Sequence, residues 1–129
     1  MEWDGPANVR AGSLFSVALR MTSEVSVRVV PMQLRFDPEL LELVSVRPGA
    51  YFGDGAHFGY HVNRPGSIRI GATAETPIPA ADTELIVVTF RSLRPETVAE
   101  LRISALELEA SAGPVVYEGI APFTTAVTR

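Results

Sequence analysis

The stretch RFDPELLELVSVRPGAYF, residues 35–52, decides the fold because its periodicity changes in the middle. Asp37 is a favoured N-cap residue whose carboxylate can accept a free backbone N–H. Pro38 suits the first helical position because its φ is already fixed. A single short helical turn follows. By Leu43 to Val46 the apolar and β-branched content returns as a strand, and Arg47-Pro48-Gly49 closes the segment with turn chemistry. The helical turn lets the chain step from one sheet layer to another.

Upstream, Phe15, Val17, Leu19 and Met21 alternate with Ser16, Ala18 and Arg20, the period-2 pattern of a half-buried strand. Val25, Val27 and Val29 then alternate with Ser26 and Arg28, while Met32, Leu34 and Phe36 alternate with Gln33 and Arg35. The buried parity flips across Val30-Pro31, which requires an extra residue, a bulge or a break, since Pro31 has no N–H for an interior ladder.

Downstream, Phe58, Tyr60 and Val62 share one strand face and His57, Gly59 and His61 the other. Arg64-Pro65-Gly66 is a tight-turn signal, and SIRIGATA resumes with Ile68, Ile70 and Ala72 inward, giving a hairpin. PIPAADTE, 77–84, reads as a loop, and Ile86, Val88 and Phe90 form the next strand. PETVAELRISALELEA has helix-favouring composition, yet Leu101, Ile103 and Ala105 alternate and Leu106, Leu108 and Ala110 alternate on shifted parity. That fits a strand with a bulge better than one helical stripe. Val115 to Tyr117 and Phe123 to Val127 supply the last strands, with Gly113-Pro114 and residues 119–122 as turns. The expected fold is all-β: about nine strands in a two-sheet antiparallel sandwich, a single domain over residues 1–129.

Composition narrows function. With 129 residues, 47% hydrophobic and 20% charged, the chain can bury a core without disulfides or metals. A net charge of −4, with no cluster of Lys and Arg along the sequence, argues against nucleic acid as a partner. No apolar run reaches the roughly 18 residues of a membrane span, and MEWDGPANVR has neither the basic nor the apolar region of a signal peptide. The absence of cysteine excludes thiolate catalysis and Cys-ligated zinc.

The chemistry-bearing residues give no catalytic constellation. His57 and His61 stand four apart, and on a strand that separation is about 13 Å, too far to share an ion. Gly53-Asp54-Gly55 lacks the further acids of a calcium loop, and Asp82 and Glu84 would need a distant partner to hold one. No Gly-x-Ser-x-Gly elbow is present, and the fifteen acids look like a solvated surface. The reading is therefore a non-enzyme without a cofactor. A strip of exposed aromatic rings would indicate sugar stacking. Phe58 and Tyr60 are expected in the core, which leaves Trp3 and Tyr51 for that role.

VVPMQLRFDPELLELVSVRPGAYF resembles bacterial cohesin domains, in which an apolar strand ends in an aromatic-Asp-Pro, a Leu/Val-rich strand follows and a Pro-Gly or similar turn closes it. GSLFSVALRM, SIRIGATA and ELIVVTF are similar to other strands of that family, in the same order, so the resemblance covers most of residues 12–127. It implies a nine-stranded jelly-roll sandwich that binds proteins and has no catalytic activity. Cohesins of cellulosome scaffoldins hold dockerin modules, and their fold is related to carbohydrate-binding modules. Val29-Val30-Pro31 departs from the polar dockerin contacts of cellulosomal members and looks closer to cohesin-like domains of bacterial envelope proteins, including secretion and pilus components. Those are tethered and extracytoplasmic (periplasmic, cell-surface or secreted).

The expected function is therefore a protein-binding module that uses a flat sheet face, with a dockerin-like module or an envelope protein as partner. Gln33, Arg35, His61, Asn63 and Arg69 are the candidate partner-binding residues, being the polar strand positions that the resemblance places near the family's binding sheet. A carbohydrate-binding module that takes polysaccharide, or a structural spacer, is the alternative.

Overall fold

Strands that are apolar on one face and polar on the other stack in pairs to hide the apolar faces. The computed structural model, described for residues 1–23, 27–52, 57–73, 80–110, 113–116 and 120–129, is all-β, with eleven strands and no helix among those residues. In chain order they are β1 (Glu2–Asp4), β2 (Asn8–Arg10), β3 (Leu14–Ser23), β4 (Val27–Phe36), β5 (Leu41–Pro48), β6 (His57–Arg64), β7 (Ser67–Thr73), β8 (Ala80–Ser92), β9 (Glu96–Ala110), β10 (Gly113–Val116) and β11 (Phe123–Thr128). One sheet has the order β1-β3-β8-β5 and the other β2-β11-β9-β4-β7-β6, with β10 also paired to β9. Every pairing is antiparallel except that of β2 with β11.

The first half of the segment at 35–52 does what its residues predict, while Arg47 and Pro48, expected in the closing turn, are the last residues of β5 and pair with Val87 and Ile86. Asp37 O accepts from the N–H groups of Leu40 and Leu41 at 3.1 and 3.0 Å, and Asp37 Oδ1 accepts from Glu39 N at 2.9 Å. This single turn carries the chain from β4 in the larger sheet to β5 in the smaller one. At the far end Gly49 N donates to Leu85 O and Tyr51 N to Glu84 O, at 2.9 and 3.0 Å. A Cβ on Gly49 would collide with the Glu84 carbonyl, so the close approach needs glycine.

The core lies between the sheets. Val17, Leu19 and Met21 of β3, Met32 and Leu34 of β4, Ile68 and Ile70 of β7, Ile86, Val88 and Phe90 of β8, and Leu101 of β9 are all buried. Phe90 packs its ring against Phe15 and Phe36, with centroids 5.9 and 5.0 Å away.

The ambiguous segment 95–110 is a strand, and its bulge falls beside Ser104. Gln33 pairs with Ala105 but Leu34 with Ile103, so one residue of β9 is unmatched. The parity flip in β4 has a similar cause, displaced from where the sequence puts it. Val27 pairs with Ala110 and Val29 with Glu109, leaving Arg28 unmatched, while pairing to β7 runs unbroken through Pro31.

Four further expectations need correction. β1 and β2 were not anticipated, because three residues are too few to show alternation. The expected loop at 77–84 is strand from Ala80 onward; it pairs with β3 through two register shifts, and Asp82 takes a positive φ of 48° there. Residues 77–79 and the Gly53–Gly55 turn lie outside the described residues. Gly113 and Pro114, expected in a turn, begin β10. Finally, Tyr60 is 44% exposed and Phe58 only half-buried, although both point to the core side. β6 is the last strand of a sheet wider than the one it faces, so nothing described covers its end.

Candidate functional site

Directly opposed residues on neighbouring strands lie on the same sheet face. Met32, Leu34, Ile68 and Ile70 occupy the buried face of β4 and β7, so Gln33, Arg35 and Arg69 occupy the outer one. Gln33 pairs with Arg69, and Arg69 with His61, which makes one row across β4, β7 and β6. Arg35 belongs to the adjacent row. It pairs with Arg102 of β9 on one side and Ser67 of β7 on the other, and Ser67 pairs with Arg64 of β6. Asn63 is the unmatched residue of a bulge between Val62 and Arg64, exposed at the sheet edge. Four of the five candidate residues are thus brought together on the outer face, with Asn63 at its rim.

The face is flat where side chains are missing. Pro31, Gly71 and Gly59 form a third row, all exposed, and a Cβ on either glycine would meet nothing within 4 Å. Beside it the polar groups are held in place. Gln33 Nε2 donates to the Oγ of Ser67 at 3.0 Å, and Ser104 Oγ donates to Gln33 O at 3.3 Å. Ser67 is only 2% exposed despite facing outward, and its Oγ accepts from Gln33.

A cleft of about 350 Å³ opens at the end of this face, lined by Arg35, Arg64, Arg102, Ser67, Asp37 and Glu100 among others. All eleven basic residues other than histidine are arginines, scattered along the sequence, yet the fold gathers Arg35, Arg64 and Arg102 at this cleft, with Arg69 one row away on the same face. Sequence reasoning missed Arg64, read only as part of a turn, and Arg102, in the segment of uncertain register. Strand pairing is the signal that would have found them.

The other candidate sites do not assemble. Asp82 Oδ1 accepts from Arg20 Nε at 2.9 Å and its carbonyl accepts from Arg20 Nη2 at 2.7 Å, so its carboxylate serves the strand rather than an ion. The hydrogen bond and charge of Asp82 raise the Arg20 pKa above its ordinary value. Among the described residues no three His, Asp or Glu side chains converge on a possible metal site. Tyr51, expected at the surface, is 8% exposed and packs edge-on against Phe52 at 5.4 Å, because the turn at 49–52 folds both rings inward. Trp3 is half-buried in a separate cleft beside residues 121–124. Tyr60 is the one exposed aromatic side chain among the described residues, so no stacking row forms. Among those residues, no helix is long and apolar enough to cross a membrane.

Comparison with known proteins places this sandwich. No curated protein matches the sequence. Among solved structures, the cohesin module of a family 33 glycoside hydrolase from Clostridium perfringens superposes with a TM-score of 0.80 at 16% identity, covering 98% of this chain and 96% of that one. A non-cellulosomal cohesin from the hyperthermophilic archaeon Archaeoglobus fulgidus gives 0.78 at 20% identity, over 100% and 93%. The sixth cohesin of Acetivibrio cellulolyticus scaffoldin B, solved in complex with a dockerin, gives 0.76 at 18% identity, over 99% of both chains. The family model for the cohesin domain matches residues 4–107, which run from the end of β1 into β9 and include the whole outer face just described; the chain belongs to the cohesin domain family.

Proposed function

We propose that this domain is a non-catalytic docking module that holds a dockerin-type protein partner on the outer face formed by β9, β4, β7 and β6. The observation that carries the reading is the face itself. It is flat along Pro31, Gly71 and Gly59 and flanked by the hydrogen-bonded Gln33 and by cationic side chains. A partner surface can approach a floor of that kind without being held off by side chains. Interfaces of standard size bury roughly 800 Å² on each side, which requires most of the four strands and not only Gln33, Arg35, His61, Asn63 and Arg69. Family membership supports the reading, and so do related cohesins solved in complex with dockerins.

The proposal extends to location. The domain works as part of a larger extracytoplasmic bacterial protein, periplasmic, surface-tethered or secreted, in keeping with relatives that come from cellulosomes. A polysaccharide ligand lacks support, since the described residues present no row of exposed aromatic rings.

The test is capture of partners from envelope and secreted fractions, with wild-type protein beside an Arg35→Glu, Arg69→Glu double variant. A dockerin-type protein retained by wild type and lost by the variant is the expected result. Retention of polysaccharide alone, or of nothing, would remove the docking reading.

A further inference from the structure

We propose that the partner segment seated on this face is acidic and presents its carboxylates in a stripe spaced to match the arginine row; this rests on the docking reading above. Arg102, Arg35 and Arg64 occupy β9, β4 and β6 in one cross-strand row, interrupted by Ser67 of β7, and Arg69 stands one row away. Among the described residues, none of the four guanidinium groups has a hydrogen bond or ion pair. By contrast Arg20 and Arg94 are paired with Asp82 and Glu39 elsewhere on the surface. The Nε of Arg35 is buried and has no acceptor. A buried donor without an acceptor carries an unmet desolvation cost, and a like charge directly opposite adds to it.

Two carboxylates line the same cleft, Asp37 and Glu100. Asp37 Oδ1 is committed to the N–H of Glu39, and Glu100 is exposed without a cation partner among the described residues. Neither relieves the row. In a protein of net charge −4, this face is locally cationic and offers donors aimed at a cleft. Guanidinium groups match carboxylates with paired hydrogen bonds, so the complementary ligand is a carboxylate-bearing protein segment.

Spacing narrows the segment further. Neighbouring strands lie about 4.8 Å apart, which puts Arg35 roughly 5 Å from Arg102 and roughly 10 Å from Arg64 along the row at backbone level. Arg64 is therefore roughly 15 Å from Arg102, and a helix with carboxylates at i, i+3 and i+10 presents the second and third at about 4.5 and 15 Å from the first along its axis. A helix laid across the strands therefore meets all three arginines with one face.

The experiment follows the arginine Nε–Hε signals of 15N-labelled protein during titration with a helical peptide bearing glutamates at i, i+3 and i+10. A peptide with glutamine at those positions is the control. The expected result is that signals of Arg35, Arg64, Arg69 and Arg102 shift with the glutamate peptide alone. Binding should weaken about three- to tenfold in an Arg64→Gln, Arg102→Gln variant, both residues being exposed. Equal binding of both peptides, shifts confined to Arg47 or Arg91, unchanged affinity in the variant, or no binding would overturn the proposal. So would binding of heparin, a sulfated polysaccharide, in the absence of peptide binding. The docking reading is judged separately. If a captured dockerin-type partner is lost on Gly71→Trp but kept by the Arg64→Gln, Arg102→Gln variant, the face docks a partner and the acidic stripe is wrong.

Discussion

Arg35 stands directly opposite Arg102 across the β4–β9 ladder, two guanidinium side chains paired on the solvent side of the sheet. Like charges in that position destabilise a sheet by about 0.2–1 kcal/mol. Arg102→Gln should therefore raise the unfolding free energy of the free domain by about that amount, as read by urea denaturation, while weakening its hold on an acidic partner. A loss of stability in this variant would show that the pair is not under repulsion.

The row Pro31, Gly71, Gly59 separates packing from docking. A side chain at position 71 points into open space, so Gly71→Trp should fold with stability within about 1 kcal/mol of wild type. The same ring would stand above the floor and block a partner. Circular dichroism melts and partner capture measure the two effects, and a Gly71→Trp protein that still captures its partner would move the interface elsewhere.

Gly66 behaves in the opposite way. Its φ is +82°, and a Cβ there would collide with the carbonyl of Phe36 and approach Pro38 Cδ at 2.9 Å. Gly66→Ala should cost about 2 kcal/mol or more, because left-handed backbone strain adds to a clash with main chain that cannot move aside. Equilibrium unfolding beside Gly71→Ala, which should change little, isolates the effect from the general loss of glycine.

Phe90 anchors the core between the sheets. It is fully buried and touches both Phe15 and Phe36, one from each sheet. Phe90→Ala should lower stability by about 3–5 kcal/mol through lost contacts and an unfilled cavity. A loss below about 1 kcal/mol would mean that the two sheets do not meet there.

The legible part of this fold is the part written in local periodicity. Phe15 to Met21 and Ile68 to Ala72 alternate, and their apolar positions are buried as the pattern predicts; Ile86, Val88 and Phe90 are buried too, but so is Val87 between them. Asp37-Pro38 predicts the turn between layers because capping is chemistry among near neighbours. What escaped depends on distant partners. The exposure of Tyr60 follows from one sheet being wider than the other, which no residue near Tyr60 encodes. Leu85 is buried beside buried Ile86, breaking alternation, because β8 has an unmatched residue there against β3. The same holds for the surface. Gln33, Arg35 and Arg69 were visible as outward strand positions, but Arg64 and Arg102 join them only through register across four strands.

The central claim is that one particular face of this sandwich docks a protein partner, and site-specific photo-crosslinking tests it most directly. A photoreactive side chain would replace Gly71 on the outer face of the larger sheet or, in a second protein, the exposed Ser16 of the smaller sheet. Both proteins are then illuminated in the presence of envelope and secreted fractions. The account predicts a crosslinked partner at position 71 and none at position 16. Crosslinking of a partner from position 16, with position 71 silent, would contradict it.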